Sequence, residues 1–202
     1  MGHFMNLVLI KNIYIGIPMA ALICYLCLLF CFLNVSEKSS EVRDLKAILS
    51  ALLSWTGGAV LMRLQISPGI QFWYHVSLMG LFTIPILIYG FLFHYLDIRG
   101  KDRFLYGCMA ATVSAVLLNV FTGCILPPPE VQIMANGSIS YHYHAKTGIW
   151  LLGAAEIILL VYVTLLAHKK IGEQLEYRKK LGPLLIGTLL IMGGNILCVM
   201  PW

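Results

Sequence analysis

The sequence predicts an all-α integral membrane protein, a polytopic bundle of six transmembrane helices with the N-terminus and the C-terminus both outside. Three observations carry this. Hydrophobic residues make up 59% and charged residues 11%, against about 25% charged in soluble domains, which excludes a soluble catalytic domain. The apolar residues fall in six runs, each near the roughly 20 residues that cross a bilayer. The basic residues gather in alternate loops, the pattern that orients membrane helices.

In chain order the runs are 13–35, 46–65, 69–96, 104–126, 147–167 and 181–201, read as a single transmembrane bundle over 1–202. The N-terminus has no basic leader and no small-residue cleavage site after Leu33, so the first run is read as a retained helix. Residues before it either extend that helix or lie in the interface. Ser67-Pro68-Gly69 reads as a tight turn between the second and third helices. Pro127-Pro128-Pro129 ends the fourth and opens the longest loop, to Lys146. Pro18 and Pro85 fall inside helices, where membrane neighbours satisfy the freed carbonyl and a kink is common.

Eleven of the 14 Lys and Arg residues lie in the loops after the first, third and fifth helices, leaving Lys11, Arg63 and Lys146 on the other side. Basic loops stay in the cytoplasm, so both termini are expected outside, in a multi-pass inner or plasma membrane protein. The net charge of +5 then reads as topology and contact with anionic lipid, not as a nucleic-acid surface. The six cysteines lack zinc spacing. Cys24, Cys27 and Cys31 share one face of the first helix and are read as small packing residues, and a Cys124–Cys198 disulfide is sterically open. No cofactor is expected.

Ionisable groups inside a membrane point to function. Glu156 lies about ten residues into the fifth helix, roughly 15 Å deep. His75, Asn119 and Asn195 sit six to seven residues from the outer ends of their helices, with Arg63, Gln65 and Gln71 near the same face. The candidate ligand-binding residues are therefore Arg63, Trp73, His75, Asn119, Glu156 and Asn195, lining a pocket open to the outside and suited to a small molecule or an anionic amphiphile. The alternative is that each bonds a neighbouring helix. In the long loop, Tyr141-His142-Tyr143-His144 offers two imidazoles, with Glu130 as the nearby acid. Metal binding, pH sensing and plain interfacial anchoring all remain open there. Asn136-Gly137-Ser138 is a glycosylation sequon and a turn signal. No motif of a nucleophile with a base occurs, and no catalytic residue is assigned.

Several markers occur in a definite order. Phe72-Trp73 opens the third helix, Gly80 and Pro85 follow, and Phe93-His94-Tyr95 leads into Arg99-Gly100-Lys101. Thr147-Gly148-Ile149-Trp150 opens the fifth helix, and Arg178-Lys179-Lys180 precedes Gly193-Gly194-Asn195. Over residues 46–200 this order resembles the N-terminal seven-helix membrane region of bacterial sensor histidine kinases and some diguanylate cyclases. The resemblance implies a sensory input module, with a homodimer or an effector subunit as partner, and names no ligand. The family's seventh helix and effector are missing from the stretch, which fits a truncated module or a stand-alone relative.

Two other classes compete. A small transporter or a membrane subunit of a larger complex would carry a broken helix pair or inverted repeat, and neither is evident. A haem protein would use His75 and His94, about 28 Å apart along one helix, with axial partners drawn from His3, His142, His144 or His168 at helix ends.

Overall fold

The computed structural model describes residues 2–35, 39–95, 103–133, 139–144, 146–173 and 186–187. It is mostly helical: α1 (Gly2–Leu33), α2 (Ser40–Arg63), α3 (Ile70–Tyr95), α4 (Arg103–Thr122) and α5 (Thr147–Glu173), with a two-stranded hairpin of β1 (Glu130–Ile133) and β2 (Ile139–His142) between α4 and α5. The run expected over 181–201 lies outside the described residues, apart from 186–187. The chain divides into two compact units, Met1–Ile84 and Pro85–Trp202. The division falls at Pro85 inside α3, where proline removes one helix hydrogen bond and crowds the carbonyl four residues before it.

Three helical stretches are long and apolar enough to cross a membrane: Gly16–Leu33, Ser40–Arg63 and Ile70–Tyr95. Shorter apolar stretches are Tyr106–Thr122 in α4 and Thr147–Leu159 in α5. The membrane class therefore holds, with three full-length spans among the described residues.

In the first unit α1 packs on α2, yet its apolar stretch has no buried residue. Ile17, Phe30 and Leu33 are more than 60% exposed, and Cys24, Cys27 and Cys31 are exposed too. Among the described residues no other side chain covers that cysteine face, and apolar side chains there suit lipid. Helix α2 begins six residues before the apolar run because Ser39 caps it. The Ser39 backbone is extended (φ −69°, ψ 151°) and its Oγ accepts from the Val42 N–H at 3.4 Å. Glu41 in the first turn and Arg63 in the last complement the helix dipole.

Helices α2 and α3 touch backbone to backbone through glycine. A Cβ on Gly80 would stand 2.5 Å from the Ala51 carbonyl oxygen and the Trp55 nitrogen, and one on Gly58 2.7 Å from the Ser77 nitrogen and the Trp73 oxygen. Small residues at membrane helix interfaces permit this approach. Ser77 Oγ then donates to the Trp55 carbonyl at 2.9 Å, tying the two helices across their contact.

In the second unit Tyr89 of α3 is 1% exposed and faces Tyr162 of α5, with ring centroids 6.0 Å apart. Helix α4 stops at Thr122, four residues before the apolar run does. Gly123 takes a left-handed conformation (φ 58°), and its N–H donates to the Asn119 carbonyl at 2.8 Å, an αL-type stop that glycine permits at no steric cost. The hairpin corrects the purely helical expectation. The stretch read as a plain loop pairs in antiparallel register, Glu130 with His142 and Ile133 with Ile139. The sequon that joins the strands lies outside the described residues.

Candidate functional site

The α2–α3 turn forms a shallow concavity. After Arg63 the helix closes with the Gln65 N–H donating to the Met62 carbonyl at 3.1 Å and the Ile66 N–H to the Leu61 carbonyl at 3.2 Å. That is the Schellman arrangement, and it places Gln65 in the left-handed region (φ 54°). A side chain there costs about 1–2 kcal/mol relative to glycine. Ser67-Pro68 is a cis peptide and Gly69 has φ 135°. The chain re-enters helix at Ile70, and Trp73 reaches back across the turn, its Nε1–H donating to the Ile66 carbonyl at 2.9 Å. Phe72 stands edge-on to Trp73 at 5.0 Å.

A shallow cleft of about 480 Å³ results, lined by Gln65, Pro68, Gly69, Ile70, Gln71 and Phe72. Two amides face apolar and aromatic walls, a mixture that suits small-molecule contact. Arg63, half-buried and already engaged with a partner, lies two residues before the cleft-lining Gln65. Trp73 adjoins its wall through Phe72. His75 lies half-buried one step further along α3, its ring edge-on to Tyr74 at 5.6 Å.

Asn119 belongs to the second unit, and its chemistry differs. It is 2% exposed. Its Oδ1 accepts from the Ile125 N–H at 2.9 Å and the Leu126 N–H at 2.8 Å, and its Nδ2 donates to the Leu126 carbonyl at 3.0 Å. Three hydrogen bonds from one side chain satisfy the loop that leaves α4 before the triple proline. Ile125 and Leu126 are buried in turn, so their backbone groups need such partners. The Lys146 N–H donates to the Ile125 carbonyl at 3.3 Å, and Gly148 sits so close that a Cβ would meet the Cys124 oxygen at 2.8 Å. The start of α5 is thereby docked on the loop that Asn119 holds.

Of the six residues read from the sequence, then, Arg63, Trp73 and His75 fall near one turn, and Asn119 supports a loop in the other unit. The Glu156 side chain and all of Asn195 lie outside the described residues, as does Cys198. The cleft-lining Pro68, Gly69, Ile70 and Phe72 were not singled out as site residues. Their only signal was the Pro-Gly turn, which marks a break without revealing the hollow it makes. Among the described residues no group of three His, Cys, Asp or Glu is placed to hold a metal ion.

Neither the curated proteins nor the solved structures gave a match. The sequence profile described as the N-terminal 7TM region of histidine kinase matches residues 17–202. That span takes in nearly the whole chain, from within α1 onward, including all of α2 and α3. The chain therefore belongs to the family of N-terminal seven-transmembrane regions of histidine kinases, a membrane sensory input region that is not itself catalytic.

Proposed function

We propose that this input region receives its signal from outside the membrane, at the α2–α3 turn. The observation that carries the reading is the cleft itself, whose backbone is fixed from both sides by the Gln65 helix stop and the Trp73 clasp. The charge pattern supports an outward turn: basic residues crowd the loops after α1, α3 and α5, and the 64–69 segment has none. In this orientation both termini of the 202-residue stretch lie outside, in a multi-pass bundle of the inner or plasma membrane. The ligand is an anionic amphiphile. Arg63 supplies positive potential near the rim, Gln65 and Gln71 supply amide contacts, and Phe72 with the Trp73 ring face receives the apolar part. The indole N–H is committed to Ile66, so Trp73 contributes surface and not a hydrogen bond. His75 stands behind them on α3. Binding favours one of two helix packings, and that difference is what a dimer partner or an effector subunit reads.

The test uses the full chain in nanodiscs with dodecanoate as probe and dodecyltrimethylammonium as the cationic control. Tryptophan emission should change saturably with dodecanoate. Trp73→Phe should remove the change, and Arg63→Gln should weaken the apparent affinity about three- to tenfold, the range of a partly exposed charge-assisted contact. Glu156→Gln and Asn195→Ala are read in the same assay. An equal or unsaturable response to the cationic amphiphile would overturn the proposal.

A further inference from the structure

The hairpin after α4 gathers three titratable side chains that the cleft does not use. Glu130 opens β1 and His142 closes β2, and the register sets them directly opposite each other. Opposed residues of an antiparallel pair project on the same face. His144, two residues beyond His142, places its Nε2 3.4 Å from Glu130 Oε2. The two imidazoles meet edge-on with centroids 4.8 Å apart. The carboxylate thus pairs with one imidazole, His144, while the His142 ring packs against that imidazole on an exposed face. Among the described residues, the other charged or titratable groups on the hairpin and its flanking segments are Lys146 at the entry to α5, Cys124 on the turn beneath Gly148, and Tyr141 and Tyr143 on the hairpin's own strand and its extension.

A hairpin of four residues per strand is only marginally stable by itself. In an element so near balance, a weak interaction changes the population visibly. Imidazole is the side chain whose ordinary charge change falls between pH 5 and 8. A protonated His144 attracts the carboxylate and a neutral one does not, so the ion pair that bridges the hairpin exists only in the charged form of the imidazole. The hairpin is not loosely attached. The segment before β1 is held by Asn119 through Ile125 and Leu126, and the segment after β2 returns to Ile125 through Lys146.

We propose that the β1–β2 hairpin is an acid-responsive element: protonation of His144 closes the Glu130–His144 ion pair, tightens the hairpin and alters the tie between the ends of α4 and α5. This regulation is independent of the amphiphile cleft, and either can fail without the other.

The experiment places nitroxide labels at Val131→Cys and Tyr141→Cys, which are register partners, away from the ion pair, in a background without the native cysteines. The full chain is held in nanodiscs with EDTA throughout, and dipolar broadening gives the ratio of close to separated labels. From pH 8 to pH 5.5 that ratio should rise about two- to fivefold, the range expected of an exposed ion pair. Glu130→Gln and His144→Gln should each abolish the rise, and His142→Gln should keep it. A flat ratio overturns the proposal, as does a rise that survives Glu130→Gln. A rise seen only when zinc replaces EDTA overturns it too, since the device would then bind metal and not protons.

Discussion

Replacing Asn119 removes three hydrogen bonds at once and leaves the Ile125 and Leu126 N–H groups and the Leu126 carbonyl without their partner. Those residues are 6% and 5% exposed, so water reaches them poorly. Each bond contributes about 0.5–1.5 kcal/mol net in soluble proteins, and about 0.6 kcal/mol on average in a membrane protein studied by double-mutant cycles. Three together give about 2–4 kcal/mol, near the lower value if the site behaves as membrane interior. Asn119→Ala should therefore speed amide exchange at Ile125 and Leu126 about 30- to 1,000-fold, at 1.4 kcal/mol per factor of ten. Amides in the middle of α2, in the other unit, should change far less. Asn119→Leu controls for the cavity, because it fills the space without restoring a polar atom and should lose comparable protection. The assay is residue-resolved hydrogen exchange in nanodiscs, alongside reversible unfolding in mixed micelles. Exchange at both amides within about twofold of the parent chain would refute the view that Asn119 holds this loop.

Three further outcomes follow from the helix contacts and the turn. Gly80→Ala should destabilise the first unit by about 1–3 kcal/mol, because a methyl group placed 2.5 Å from α2 backbone atoms forces the helices apart. Gly107→Ala, which meets nothing within 4 Å, should be neutral or slightly stabilising, and equal losses in the two would refute the close-contact account; micelle unfolding compares them. Gln65→Gly relieves a left-handed side chain and should gain about 0.5–1 kcal/mol after the extra unfolded-state entropy of glycine is deducted, read in the same unfolding assay. A cysteine at Ile66, again without the native cysteines, should react with a membrane-impermeant maleimide from outside intact cells. One at Gly172 should react only after permeabilisation, and the reverse pattern would invert the proposed orientation.

Much of this protein was legible in its residues because a bilayer is a demanding solvent. Long apolar runs can only be helices there, and α2 and α3 occur where composition placed them. Ser67-Pro68-Gly69 was readable as a break because proline and glycine act locally. The order of aromatic, proline and glycine markers was enough to suggest the histidine-kinase input family, to which the profile match assigns the chain. Helix ends were less legible wherever a side chain decided them. Ser39 starts α2 ahead of its apolar run, and Gly123 with Asn119 stops α4 while Ile125 and Leu126 are still apolar. The hairpin was invisible for a related reason: its strands are four residues long, and their pairing depends on which residues the turn brings opposite one another. Asn119 shows the limit most clearly. From sequence, a buried amide read singly favours a structural bond, and only its company of polar groups at one depth made Asn119 a ligand candidate, because both roles require burial and polarity. Only the tertiary positions of the Ile125 and Leu126 backbone show that its hydrogen bonds go to its own chain, while the shape of the α2–α3 cleft came from two φ angles and one indole hydrogen bond that no residue pattern encodes.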